Sequence, residues 1–135
     1  MKLGFIGLGN MASAMIGGML KKGLVSSQDI LGSDVSEVGR AKAAEQFGIE
    51  TCADNKKVAA KADILFFAVK PIFLAQVLGE IADVVKDNTI IVSIVAGKSI
   101  DFIVQGMDGK VRKIVRCMPN TPALVGEGCT GVSAS

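Results

Sequence analysis

The sequence predicts an α/β fold, a doubly wound, mostly parallel sheet with helices on both faces. Three observations predict it. The chain opens on a short apolar strand, a glycine turn and a helix in Lys2 to Leu20, KLGFIGLGNMASAMIGGML. Two later runs, Ile64 to Val69 and Thr89 to Ile94, are almost wholly apolar and bounded by turn residues, as strands buried on both faces are. Strand-like and helix-like segments then alternate to the end of the chain. No internal repeat, linker or low-complexity segment interrupts them, so residues 1–135 read as one domain.

The first strand is Lys2 to Ile6. Gly7-Leu8-Gly9-Asn10-Met11-Ala12 is the turn, a G-x-G-x-x-A run. Gly7 permits a tight exit from the strand. Gly9 has no side chain, so a pyrophosphate can approach the backbone there. Ala12 is small enough for close helix–strand packing, and the helix N-terminus offers free N–H groups and a positive dipole end. In this context the turn reads as a dinucleotide site. Met11, Met15 and Met19, with Ala12 and Ile16, recur at helical spacing and read as core packing. Lys21-Lys22-Gly23 ends the helix.

Ser26 to Gln28 is a loop, and Asp29 to Ser33 the second strand, ending at Asp34. A carboxylate there suits the adenosine ribose hydroxyls, or equally a turn or helix cap, and Ser36 could cap the next helix as well. Glu37 to Phe47 is that helix, with Val38, Ala41, Ala44 and Phe47 on one side and Gly48 ending it. Ile49 to Cys52 is a short strand, and Asp54-Asn55 precedes a small helix, Lys56 to Ala60. Pro71 follows the Ile64 strand and opens a helix from Ile72 to Val85, with Phe73, Val77, Ile81 and Val84 on one face. After the Thr89 strand, Ser99 or Asp101 opens a helix to about Gln105. Val111 to Cys117 is a further strand, Met118 to Pro122 a turn stiffened by two prolines, and Glu127 to Ser133 a last edge strand.

Composition narrows the function. Hydrophobic residues make up 50% of the chain, which excludes disorder. The net charge is +2 and no basic cluster exceeds two adjacent lysines, which argues against nucleic acid. Three cysteines, Cys52, Cys117 and Cys129, contain no C-x-x-C; this suits a reducing, cytoplasmic setting and neither a disulfide scaffold nor a zinc site. No metal is expected. Histidine, tyrosine and tryptophan are absent, so proton chemistry here does not use His or Tyr. Leu3 to Leu20 carries no charge and could pass for an export signal or a membrane span, but five glycines and Asn10 in that stretch argue against both.

Open α/β sheets bind ligands at the carboxyl ends of their strands. Here those ends are Gly7 to Met11, Ser33-Asp34, Ala68-Val69-Lys70-Pro71, Val95-Ala96-Gly97 and Met118 to Pro122. Ala68, Ala96 and Gly97 are small enough to let a flat cofactor lie against backbone. Lys70 is the cation of the set and suits a phosphate or a substrate carboxylate, or plain solvation. Asn120 and Thr121, held between prolines, suit substrate positioning or a purely structural turn.

Four segments together resemble the N-terminal, Rossmann-type domain of pyrroline-5-carboxylate reductase. They are Gly4 to Ala12 (GFIGLGNMA), Ala68 to Pro71 (AVKP), Val92 to Gly97 (VSIVAG) and Arg116 to Ala123 (RCMPNTPA). The resemblance implies reduction of 1-pyrroline-5-carboxylate to L-proline with NADPH or NADH. By matching position the cofactor would contact Ile6, Gly7, Leu8, Gly9, Asn10, Met11, Ser33, Asn55, Ala68, Val69, Lys70, Pro71, Val95, Ala96 and Gly97; Asp34 joins this set on its place at the end of the second strand. It also implies a C-terminal helical domain, absent from this chain, that forms the homo-oligomer and much of the substrate pocket. Residues 1–135 alone are therefore expected not to turn over. Two other readings remain: a Rossmann dehydrogenase of the β-hydroxyacid type, and a non-catalytic dinucleotide-binding module.

Overall fold

A computed structural model describes residues 1–109, 113–118 and 131–134. Among the described residues, seven strands form one sheet. In chain order the elements are β1 (Leu3–Ile6), α1 (Asn10–Lys21), a 3-10 turn (Ser27–Asp29), β2 (Ile30–Ser33), α2 (Glu37–Phe47), β3 (Glu50–Cys52) and α3 (Asn55–Lys61). They continue with β4 (Ile64–Phe67), α4 (Pro71–Ile81), β5 (Ile90–Ser93), α5 (Ile100–Gly106), β6 (Lys113–Met118) and β7 (Gly131–Ala134). The spatial order is β3-β2-β1-β4-β5-β6-β7. The pairs from β3 to β6 are parallel, and β7 lies antiparallel on β6 at the edge. The strand order therefore reverses between β1 and β4, and a crevice opens outside the carboxyl ends at such a switch point.

Alternation along the strands divides the core between the two faces of the sheet. Leu3 and Phe5 of β1, Ile30 of β2 and Phe66 of β4 pack with Ala12 and Ile16 of α1 and Ala43 of α2. Ile6, Leu31, Leu65 and Phe67 point the other way, onto Val58 of α3, Leu74, Val77, Leu78 and Ile81 of α4 and Ile103 of α5. Neighbouring strands thus need apolar residues at every position, which is why Ile64 to Phe67 shows no polar alternation. The Phe5 and Phe66 rings stack at 4.4 Å between centroids. Gly4 makes room for α3: a methyl group there would stand 2.8 Å from both Ala62 and Val58.

Two helix faces differ from the sequence expectation. Val38 is 78% exposed and Ala41 is exposed, while Ala43 is buried, so α2 does not turn Val38 and Ala41 to the core; Ala44 is half-buried and Phe47 packs against the core. Most of the apolar residues of α2 are alanines, whose small side chains leave the rotation to packing rather than to pattern. In α4 the buried row is Leu74, Val77, Leu78 and Ile81, and Phe73 is 48% exposed, not a core residue. That helix ends at Ile81 rather than Val85. Ser26 to Gln28 is largely a 3-10 turn capped by Ser26.

Candidate functional site

A crevice of about 600 Å³ lies over the carboxyl ends of β1, β2 and β4. Of the residues expected in a site it is lined by Ile6, Gly7, Gly9, Ser33, Asp34, Asn55, Ala68, Val69 and Lys70. The structure thus brings together residues up to 64 positions apart because β2, β1 and β4 lie side by side, in register Ser33–Ile6–Phe67.

The glycine turn forms the floor. Gly7 has φ +98°, a backbone shape that L side chains rarely adopt, and a methyl group there would stand 2.6 Å from the Ala68 carbonyl oxygen. Its N–H donates to the Ser33 carbonyl at 2.8 Å, tying β1's exit to β2. Gly9 is the opposite case. Its φ is ordinary at −77°, and among the described residues nothing lies within 4 Å of a methyl group built there. The space above Gly9 is open to the crevice, room that a bound phosphate group would use.

Helix capping marks the same place. Ser36, Asp54 and Ser99 accept backbone N–H bonds at the starts of α2, α3 and α5. Among the described residues no side chain caps α1 or α4, whose N-caps are Gly9 and Lys70, both lining the crevice. Uncapped first-turn N–H groups and the dipole of the 12-residue α1 suit an anion. In α4, Pro71 at the first position removes one N–H, so the charge of Lys70 matters more there.

Asp34 is held firmly. Its Oδ2 accepts the Leu8 N–H at 2.8 Å and its Oδ1 accepts the Ser36 N–H at 2.9 Å. The cap of α2 is Ser36, whose Oγ accepts from Gly39 N–H at 3.0 Å. Asp34 therefore braces the glycine turn instead of capping the helix. The Ser33 hydroxyl, fully buried, donates to Asn55 Oδ1 at 2.7 Å, and Asn55 Nδ2 donates to Glu80 Oε2 at 3.3 Å.

The remaining candidates sit elsewhere. Leu8 is buried against Gly32 and contributes its backbone N–H; Asn10 and Met11 begin α1, and Pro71 begins α4, without lining the crevice. Val95 is buried in the core, its N–H held by Ser93 Oγ at 3.2 Å, and Ala96 and Gly97 are exposed beyond β5, also off the crevice wall. Asn120 and Thr121 lie outside the described residues. The structure adds Val35, Ser36, Phe73, Gln76, Val77 and Glu80. Phe73, Gln76 and Glu80 stand three to four residues apart on α4, a helical row whose mixed polarity gave no signal of a wall.

Cys117 on β6 is half-buried, and burial pushes its thiol pKa up, so it stays protonated at neutral pH. Among the described residues no cluster of acids and thiols is arranged to hold a metal, and no helix is long and apolar enough to cross a membrane.

Known proteins share this architecture. Residues 2–97 match the family model described as "NADP oxidoreductase coenzyme F420-dependent". The chain is 42% identical over 132 residues to pyrroline-5-carboxylate reductase of Escherichia coli (strain K12), covering 98% of this chain and 49% of that protein. A pyrroline-5-carboxylate reductase structure from Coxiella burnetii superposes with a TM-score of 0.94 at 32% identity, over 99% of this chain and 49% of that one. The Plasmodium falciparum pyrroline carboxylate reductase with NADP bound gives 0.85 at 31% identity, over 99% and 48%. The chain spans about half the length of the curated relatives it matches. Its fold is Rossmann-type, like that of the pyrroline-5-carboxylate reductases it is similar to, and it belongs to the family described as "NADP oxidoreductase coenzyme F420-dependent".

Proposed function

We propose that this chain is the dinucleotide-binding part of a pyrroline-5-carboxylate reductase, which reduces 1-pyrroline-5-carboxylate to L-proline with NADPH or NADH. The observation that carries the binding role is the uncapped start of α1 opening through Gly9 onto the crevice at the switch point. The substrate follows from relatives such as the Escherichia coli enzyme. When bound, the nicotinamide supplies a hydride for a carbon–nitrogen double bond. A protonated imine is already electrophilic, so orientation and charge complementarity matter more than a strong general acid. This is compatible with a chain lacking His and Tyr.

Each residue then has a role. The α1 N-terminus and the Gly7–Gly9 turn hold the pyrophosphate. Asp34, Ser33 and Asn55 face the adenosine end, and Ala68 and Val69 give the reduced ring a smooth wall. Lys70 attracts the substrate carboxylate as a point charge, and Asn120 and Thr121 position the ring. Turnover draws on the further length that the relatives possess, in a cytoplasmic homo-oligomer. The test joins residues 1–135 to the remaining half of the Escherichia coli relative. The fusion is expected to oxidise NADH or NADPH with the cyclic imine and not with β-hydroxyacids. A hydroxyacid preference would sink the proposal.

A further inference from the structure

We infer that this chain binds NADH in preference to NADPH, and that Asp34 sets the preference; the inference rests on the dinucleotide reading above. It departs from the NADP named in the family description and in the Plasmodium falciparum complex. A carboxylate offers about four lone-pair positions. The Leu8 and Ser36 N–H groups occupy one on each oxygen of Asp34, at 2.8 and 2.9 Å. These bonds fix the carboxylate's orientation on the crevice wall and leave each oxygen a further position. A ribose diol has two hydroxyls to donate to such an acceptor. A 2′-phosphate donates none when fully ionised and brings up to two negative charges against the carboxylate.

Among the described residues, nearby charges do not offset this. Glu80 puts a second carboxylate on the same crevice. Arg40 is the nearest candidate for pairing a 2′-phosphate. Its Nη1 donates to the carbonyls of Asp34 and Val35, at 2.8 and 3.3 Å, and it does not line the crevice. Lys70 does line it, but at the end of β4, two strands from β2 and so about 10 Å across the sheet.

The test is equilibrium titration of the full chain with NADH and NADPH, followed by nicotinamide fluorescence, with circular dichroism as the check on folding. NADH is expected to bind at least tenfold more tightly. Asp34→Asn keeps a carbonyl for one N–H and removes the charge; it is expected to narrow the ratio at least fivefold, while Arg40→Gln leaves it unchanged. Should Asp34→Asn not fold, AMP and 2′-AMP are compared as competitors of NADH on the unaltered chain, and AMP alone is expected to compete well. Equal or tighter NADPH binding, an unchanged ratio in folded Asp34→Asn, or effective competition by 2′-AMP would overturn the inference and leave the dinucleotide site standing. Binding of neither dinucleotide to folded chain would overturn both.

Discussion

Gly7 and Gly9 stand two residues apart in one turn and answer an added methyl group in opposite ways. At Gly7 the methyl meets the Ala68 carbonyl oxygen at 2.6 Å and the backbone has φ +98°, so strain and collision add. Gly7→Ala is expected to cost roughly 2–4 kcal/mol of stability, measured by urea unfolding. At Gly9 the backbone is ordinary and no described residue fills the space, so Gly9→Ala is expected to change stability by less than about 1 kcal/mol. The same methyl occupies the room over the α1 N-terminus, and dinucleotide binding should weaken at least tenfold. Equal binding by Gly9→Ala and the parent would mean that the pyrophosphate does not lie on this turn. The G-x-G-x-x-A run made the tight turn at Gly7 and the bare backbone at Gly9 legible in the sequence, because each depends only on a missing side chain. The brace from Asp34 to Leu8 N–H was not legible, since a carboxylate after a strand suits a cap, a turn or a ribose alike, and only the register of β1 against β2 brings it over the turn.

Between elements, Asp63 at the start of β4 ties three segments together. Its Oδ2 accepts the Lys2 N–H at 2.7 Å, ahead of β1, and its Oδ1 accepts from Lys86 Nζ at 2.8 Å, between α4 and β5. The Lys86 ammonium, then the Lys2 N–H, hold its carboxyl below the ordinary carboxylate range. A lowered folded pKa gives stability that is present above the unfolded value, about 3.9, and lost as pH falls through the lower folded value. Asp63→Asn is therefore expected to be less stable than the parent at neutral pH and to lose less stability between about pH 4 and pH 2. Thermal melts across that range measure it, and parallel losses in both proteins would remove Asp63 from the account. The α4–α5 contact gives a second contrast. A methyl on Gly106 would stand 2.5 Å from Leu78, whereas Gly79, exposed on α4, has nothing described within 4 Å. Gly106→Ala should destabilise by about 1–3 kcal/mol and Gly79→Ala should stabilise by about 0.5–1 kcal/mol in denaturant titrations. Strands and caps were readable here because buried runs and Ser or Asp caps act locally. The inward face of α2 and the crevice wall on α4 were not, because rotation of a helix about its axis is decided by what it packs on.

At the scale of the molecule, the crevice is built by both halves of the sheet. Ser33 and Asp34 belong to the β3-β2-β1 side, and Ala68, Val69 and Lys70 to the β4-β5-β6 side, with the glycine turn between them. A ligand seated there contacts both, so its binding energy adds to the stability of the whole sheet and not of one element. A ligand at a hundredfold its Kd adds about 2.7 kcal/mol to a protein that binds it only when folded. For a chain of this size that corresponds to a rise in Tm on the order of 8–11 °C. NADH at such a concentration is therefore expected to raise Tm by that amount in a single transition, and NADPH at equal concentration by clearly less. β1, β2 and β4 pair side by side within residues 1–135, so these residues are expected to show the shift. A folded chain whose Tm moves in neither saturating NADH nor saturating NADPH would overturn the dinucleotide site. A shift confined to one of two separate transitions would mean that the two halves do not unfold as one body.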